Sequence, residues 1–120
     1  MCFAKGSIMK KMDFYALHSE VCKTLANPKR QMILDQLRER EMTVNELVEI
    51  TGITQANLSQ HLAILRAKGI VSTRRQGINV FYSIADPKII KAFDLISDMI
   101  KDTLKSQTET VKSATRSDRK

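Results

Sequence analysis

Residues 43–84 read TVNELVEITGITQANLSQHLAILRAKGIVSTRRQGINVFYSI, and the hydrophobic period changes within them. Thr43-Val44-Asn45-Glu46 has the form of a capping box, with Thr43 as N-cap and Glu46 at the third helical position. Val44, Leu47 and Val48 carry a short helix over about 44–51. Thr51-Gly52-Ile53 then forms a turn. Gly52 supplies the positive φ, Ile53 plugs the angle between two helices, and Thr54 caps the next one. Leu58, Leu62 and Leu65 define that second helix over about 55–68, stopped by Gly69. Short helix, tight turn and longer helix make a helix-turn-helix. After Gly69 the period becomes that of strands. Ile70–Thr73 and Asn79–Ile84 are rich in β-branched and aromatic residues, with Arg74-Arg75-Gln76-Gly77 between them. This predicts a β-hairpin with a basic tip. A helix-turn-helix followed at once by a basic hairpin matches a winged helix.

Outward from this stretch the rest is helical. Asn27-Pro28 starts a helix over about 28–40, with Ile33, Leu34 and Leu37 on its apolar side. A first helix over about 12–26 carries Phe14, Leu17, Val21 and Leu25. Asp86-Pro87 starts a last helix over about 87–105, with Ile89, Phe93, Ile96, Ile100 and Leu104. Ser106–Lys120 has one large apolar residue, Val111, and is expected to be frayed or disordered. The fold class predicted is mainly α with a small β-hairpin: a winged helix-turn-helix of five helices plus wing, occupying residues 1–105. The two outer helices hold more apolar side chains than one short chain covers. Dimerisation through Phe14, Leu17, Val21, Phe93, Ile96 and Ile100 is therefore expected.

Composition excludes several classes. The chain has 120 residues, 42% of them hydrophobic, enough for one domain with a core. No apolar run approaches the roughly 20 residues of a membrane span. The start of the chain does not read as a signal peptide. Cys2 and Cys22 are too few for a disulfide scaffold, so a cytoplasmic location is expected. With two histidines, no phosphate-cradling glycine loop and no nucleophile elbow, an enzyme is not expected. Lys and Arg number 20 against 13 Asp and Glu, a net charge of +7. Its location is more informative than its size. Residues 50–85 contain no acid but hold Arg66, Lys68, Arg74 and Arg75. Carboxylates are absent from the stretch that would face phosphates.

At 100° per residue, the leucines of the second helix share one arc, and the opposite side carries Ala56, Gln60, Ala63 and Ala67. Gln55, Asn57 and Ser59 flank it. A solvent face would normally show Glu and Lys. Small side chains let a backbone approach a groove, and amides bond to adenine edges. Gln55, Ser59 and Gln60 are the base-reading candidates. Candidates for phosphate or wing contacts are Lys29, Arg30, Thr54, Asn57, His61, Arg66, Lys68, Arg74 and Arg75. His61 lies beside the packed arc and reads equally as a half-buried spacer. Any single cation reads equally as a solubilising charge.

These residues resemble the ArsR/SmtB winged-helix transcriptional repressors. LANPKR (25–30), TQANLSQHLAILRAKGIV (54–71) and TRRQGINVFYSI (73–84) carry the likeness, which spans about half the chain and is nearest in style to the HlyU/BigR-like branch. The resemblance implies a homodimer on a palindromic double-stranded operator, released by a metal, a metalloid or a redox signal. It also adds Ala56 to the base-contacting positions. The family's sensor positions do not transfer. The thiolate pair would fall on Thr43 and Asn45. The zinc site would fall on Asp86, Lys88, Met99 and Asp102. The dithiol switch would need Cys at Asp35 and in the last helix. No cofactor is therefore expected. His18 and Cys22, at i and i+4, remain as a local metal pair across a dimer, or Cys22 could pair with Cys2 as a redox switch. Equally, Cys22 is a small interface hydrophobe and Cys2 a stray thiol. The alternative function is a winged helix that contacts protein or RNA and has no operator.

Overall fold

The computed structural model describes the backbone of residues 2–118 and the side chains of residues 10–110. Among these, the elements run α1 (Cys2–Leu25), α2 (Pro28–Leu37), β1 (Met42–Thr43), α3 (Val44–Thr51), α4 (Gln55–Ala67), β2 (Val71–Gln76), β3 (Asn79–Ile84) and α5 (Lys88–Asp118). They fall into two compact units, one ending at Asp86 and the other beginning at Pro87.

In the first unit the helix ends are set by the expected residues. The Asn27 side chain accepts from the backbone N–H groups of Lys29 (3.0 Å) and Arg30 (3.2 Å), with Pro28 at the first position of α2. The Thr43 hydroxyl accepts from Glu46 N–H and caps α3. Gly52 takes φ 73°, and its N–H donates to the Val48 carbonyl at 2.9 Å. At the end of α4, Ile70 N–H bonds Leu65 O (2.9 Å) and Gly69 N–H bonds Arg66 O (3.0 Å). This is the Schellman pattern, which turns the chain out of the helix and into the wing.

The core gathers one face from each element: Ile33, Leu34 and Leu37 of α2, Leu47 of α3, and Leu58, Leu62 and Leu65 of α4. Met42, Ile53, Ile70 and Val71 close it. Each large aliphatic side chain buried in this way contributes about 1.5–3 kcal/mol. Ile53 plugs the α3–α4 angle as expected.

The sheet has three strands in the order β1-β3-β2, both pairings antiparallel. The predicted hairpin thus gains a third strand, Met42–Thr43, paired with Tyr82 and Phe81. Two residues are too few to display a period of two. A second correction concerns the tip. Arg74 and Arg75 lie within β2, opposite Phe81 and Val80, and pairing continues to Gln76↔Asn79. The loop is Gly77-Ile78. Gly77 has φ 64° and no non-glycine residue among the described ones, Ile78 included, has positive φ, so the connection is of type II′.

Three helix lengths also differ from expectation. α1 starts at Cys2 rather than near 12, because Ala, Lys and Met of that segment are good helix formers. α2 ends at Leu37 rather than 40, where the chain turns into β1. In the second unit, α5 does not stop near 105 but runs to Asp118. No Gly or Pro lies in that span to break it. Thr103, Thr108 and Thr110 turn their hydroxyls back onto the carbonyls of Met99, Leu104 and Ser106 and so compete little with the helix. Leu95, Ile96, Met99, Ile100 and Leu104 leave an exposed apolar stripe along α5.

Candidate nucleic-acid interface

The site begins with the turn that aims α4. Thr51 Oγ1 donates to Leu47 O (2.6 Å) and accepts from Ile53 N–H (3.2 Å), so one hydroxyl stitches the end of α3 to the turn. Thr54 then caps α4 by accepting from Asn57 N–H at 3.4 Å. With Leu58, Leu62 and Leu65 fully buried, the remaining faces of the helix are fixed. Gln55, Ala56, Asn57, Ser59, Gln60, Ala63 and Ala67 are all exposed on the outside. None of the four base-reading candidates has a side-chain partner within the protein among the described residues.

The cationic candidates divide into two groups. Lys29, Arg66 and Arg75 make no ion pair among the described residues. Arg30, Lys68 and Arg74 are already engaged. Arg30 Nη1 donates to Thr24 O (3.1 Å) and its Nε to His61 Nδ1 (3.2 Å). One guanidinium thereby joins the end of α1 to α4. Gln31 Nε2 on Leu25 O (2.8 Å) satisfies the next orphan carbonyl of α1. Lys68 Nζ lies 3.8 Å from Glu20 Oε2, an exposed pair of small energetic weight.

Arg74 is the most constrained. It donates from Nε to Glu41 Oε2 (3.2 Å), from Nη2 to Glu41 Oε1, and from Nη1 to Gln76 Oε1 (3.0 Å). Its guanidinium also lies 4.8 Å over the Phe81 ring, its cross-strand partner. The Arg74 hydrogen bonds hold the Glu41 carboxyl below its usual range, and Glu41 raises Arg74 in turn. The bidentate pair clamps the wing to the segment entering β1. Sequence reasoning missed Glu41, which stands 33 positions away. Strand alternation alone would have paired Arg74 with Phe81.

His61 is half-buried, and its pKa is lowered, first by burial and then by the charges of Arg30 and Lys29. The neutral ring accepts from Arg30 at Nδ1, which leaves Nε2–H as its free donor. It is thus both a spacer and a potential donor at the helix edge.

On α1, Cys22 Sγ lies 3.5 Å from His18 Nδ1, and both residues are exposed. The Cys2 side chain lies outside the described residues. No group of three or more His, Cys, Asp or Glu among the described residues is arranged to hold a metal ion. Of the expected dimer residues, Phe14, Leu17, Ile96 and Ile100 are exposed, while Val21 and Phe93 are half-buried. No helix of the described residues is long and apolar enough to cross a membrane.

Comparison with known proteins agrees with this geometry. Residues 27–73 match the family described as bacterial regulatory protein, arsR family. The nodulation protein NolR of Rhizobium meliloti is 44% identical over 78 residues, 65% of this chain and 64% of its own length. This chain thus spans just under two thirds of NolR. The transcriptional activator HlyU of Vibrio cholerae is 38% identical over 99 residues, 80% of this chain and 92% of its own. The solved homodimeric winged helix-turn-helix DNA-binding domain of Mb0332 from Mycobacterium bovis superposes with a TM-score of 0.73 at 30% identity. That match covers 79% of this chain and 88% of the other. The matched family is one of bacterial regulatory proteins and HlyU is a transcriptional activator, and the chain belongs to the ArsR family of winged helix-turn-helix DNA-binding regulators, which are not enzymes.

Proposed function

We propose that the chain is a cytoplasmic homodimeric repressor that binds a palindromic double-stranded operator and holds no resident cofactor. In this reading α4 enters the major groove, and the two copies do so about 34 Å apart. Gln55, Ser59 and Gln60 contact base edges, with Ala56 against the groove. Lys29, Arg66 and Arg75 take phosphates, together with Thr54, Asn57 and the His61 Nε2–H. Arg30, Lys68 and Arg74 act chiefly by holding the surface in shape. The observation that carries the reading is the outer face of α4: exposed, short or amide-bearing, free of acid, and followed directly by the wing.

The experiment is selection of a duplex from random-sequence DNA by the full chain, followed by affinity measurements across salt concentrations. A short palindrome is expected, with log K falling linearly in log salt. Arg75→Ala should weaken all sequences alike and reduce the slope by about 0.9 for each phosphate that the protein no longer neutralises. Gln60→Ala should relax base choice at one position per half-site, at a cost of about 1–3 kcal/mol against the preferred base. Enrichment of no duplex would overturn the operator reading. A uniform loss with Gln60→Ala would remove that side chain from the base edge.

A further inference from the structure

Ile78 stands at the end of the wing with 99% of its surface exposed. The other strongly exposed large apolar residues of the described chain mostly line α1 and α5, where they adjoin one another. Ile78 sits apart from them in the two-residue loop between β2 and β3. After glycine in a type II′ turn, Asn, Asp or Ser is the ordinary choice, because that position faces water. An isoleucine there forgoes its own burial and adds nothing to the core.

Its surroundings indicate what it meets. Arg75 lies three positions before it with no ion-pair partner among the described residues, and Gln76 and Asn79, the last strand pair, are exposed amides beside it. No carboxylate occurs from 50 to 85. The hairpin is stiffened two pairs below its tip by Arg74, which is bound to Glu41 and Gln76 and lies over Phe81. A rigid ribbon that ends in one apolar side chain, with a cation and amides around it, is complementary to a groove with an anionic rim, polar base edges on its floor and an apolar base stack that is exposed when a step opens. Apolar wedges of this size enter the minor groove and part adjacent base pairs, most easily at pyrimidine–purine steps.

We infer that Ile78 is a minor-groove wedge, seated at a flexible base step on the flank of each half-site while Arg75 holds the adjoining phosphate. This rests on the operator reading above and adds to it a residue that selects DNA by deformability rather than by hydrogen bonding. Recognition would then extend beyond the bases reached by α4.

The test uses the full chain and the duplex that it enriches, with 2-aminopurine placed in turn at each step flanking the half-sites. The wild-type chain should raise the emission at one step per half-site, as unstacking requires. Ile78→Ser should abolish that rise and weaken binding on the order of tenfold, with the salt slope unchanged because no charge is altered. Ile78→Val, which keeps an apolar tip, should retain the emission. The inference is overturned if Ile78→Ser binds the same duplex with unchanged affinity and emission. It is equally overturned if that variant alters only self-association, which would make Ile78 a contact between protein copies. Failure of the wild-type chain to enrich any duplex would instead reject the operator reading itself.

Discussion

His61 illustrates how one side chain links stability to pH. Its Nδ1 accepts from Arg30 only while the ring is neutral, and burial with two nearby cations lowers its pKa below 6.5. The unfolded chain therefore takes up the proton first as pH falls. The stability that His61 contributes is fully present above pH 6.5 and is lost as pH falls from there through the lower folded value. Urea midpoints measured above and below that point should fall for the wild-type chain and fall less for His61→Gln. Equal slopes in the two proteins would show that His61 is not the titrating group. The residues at this scale were unevenly legible. Gln55, Ser59 and Gln60 were assigned to an outer face by angle alone, and they are exposed on α4. The bonds of Arg30 to His61 and of Arg74 to Glu41 were not legible, because these partners lie 31 and 33 positions away and only the folded chain brings them close.

Among the elements, α3 and α4 show what local chemistry determines. Thr43, Gly52, Thr54 and Gly69 fix their ends, and each acts within five residues along the chain, so the sequence reveals it. A Cβ added at Gly52 would meet no atom within 4 Å, so the whole penalty of a side chain there is the left-handed backbone. Gly52→Ala should accordingly cost about 1–2 kcal/mol of unfolding free energy. A cost near zero would mean that the turn can relax to another geometry. The strand β1 and the outer ends of α1 and α5 were not legible for different reasons. β1 is two residues held by a partner strand about 40 positions later, too short for a pattern. The helix ends bear no cap or breaker, so their length is a matter of cumulative propensity and not of a signal.

At the scale of the whole molecule, α1 and α5 each present an apolar face to solvent. Phe14 and Leu17 on α1, and Ile96 and Ile100 on α5, are each about half or more exposed. A second copy of the chain, meeting it about a two-fold axis, would bury these faces. The chain is therefore expected to sediment as a dimer. Leu17→Glu combined with Ile100→Glu should shift it to monomers without unfolding it, since neither side chain belongs to the buried core. Operator affinity should then fall by several orders of magnitude, because two half-sites are no longer engaged together. A double variant that stays dimeric would place the interface elsewhere.

The outer face of α4 has a consequence for the entropy of binding. Ala56, Ala63 and Ala67 are exposed there, and an alanine has no rotamers to lose. Docking such a face freezes little side-chain motion. The ordering cost falls chiefly on Gln55 and Gln60, at about 1.5–2 kcal/mol for each fully immobilised glutamine. Those two side chains can recover it only through well-formed bonds to the right base. A mismatched sequence thus still incurs the freezing of two glutamines and gains nothing in return, while the alanines are indifferent to it. Discrimination is concentrated where conformational freedom is concentrated, on a surface otherwise ordered before its partner arrives.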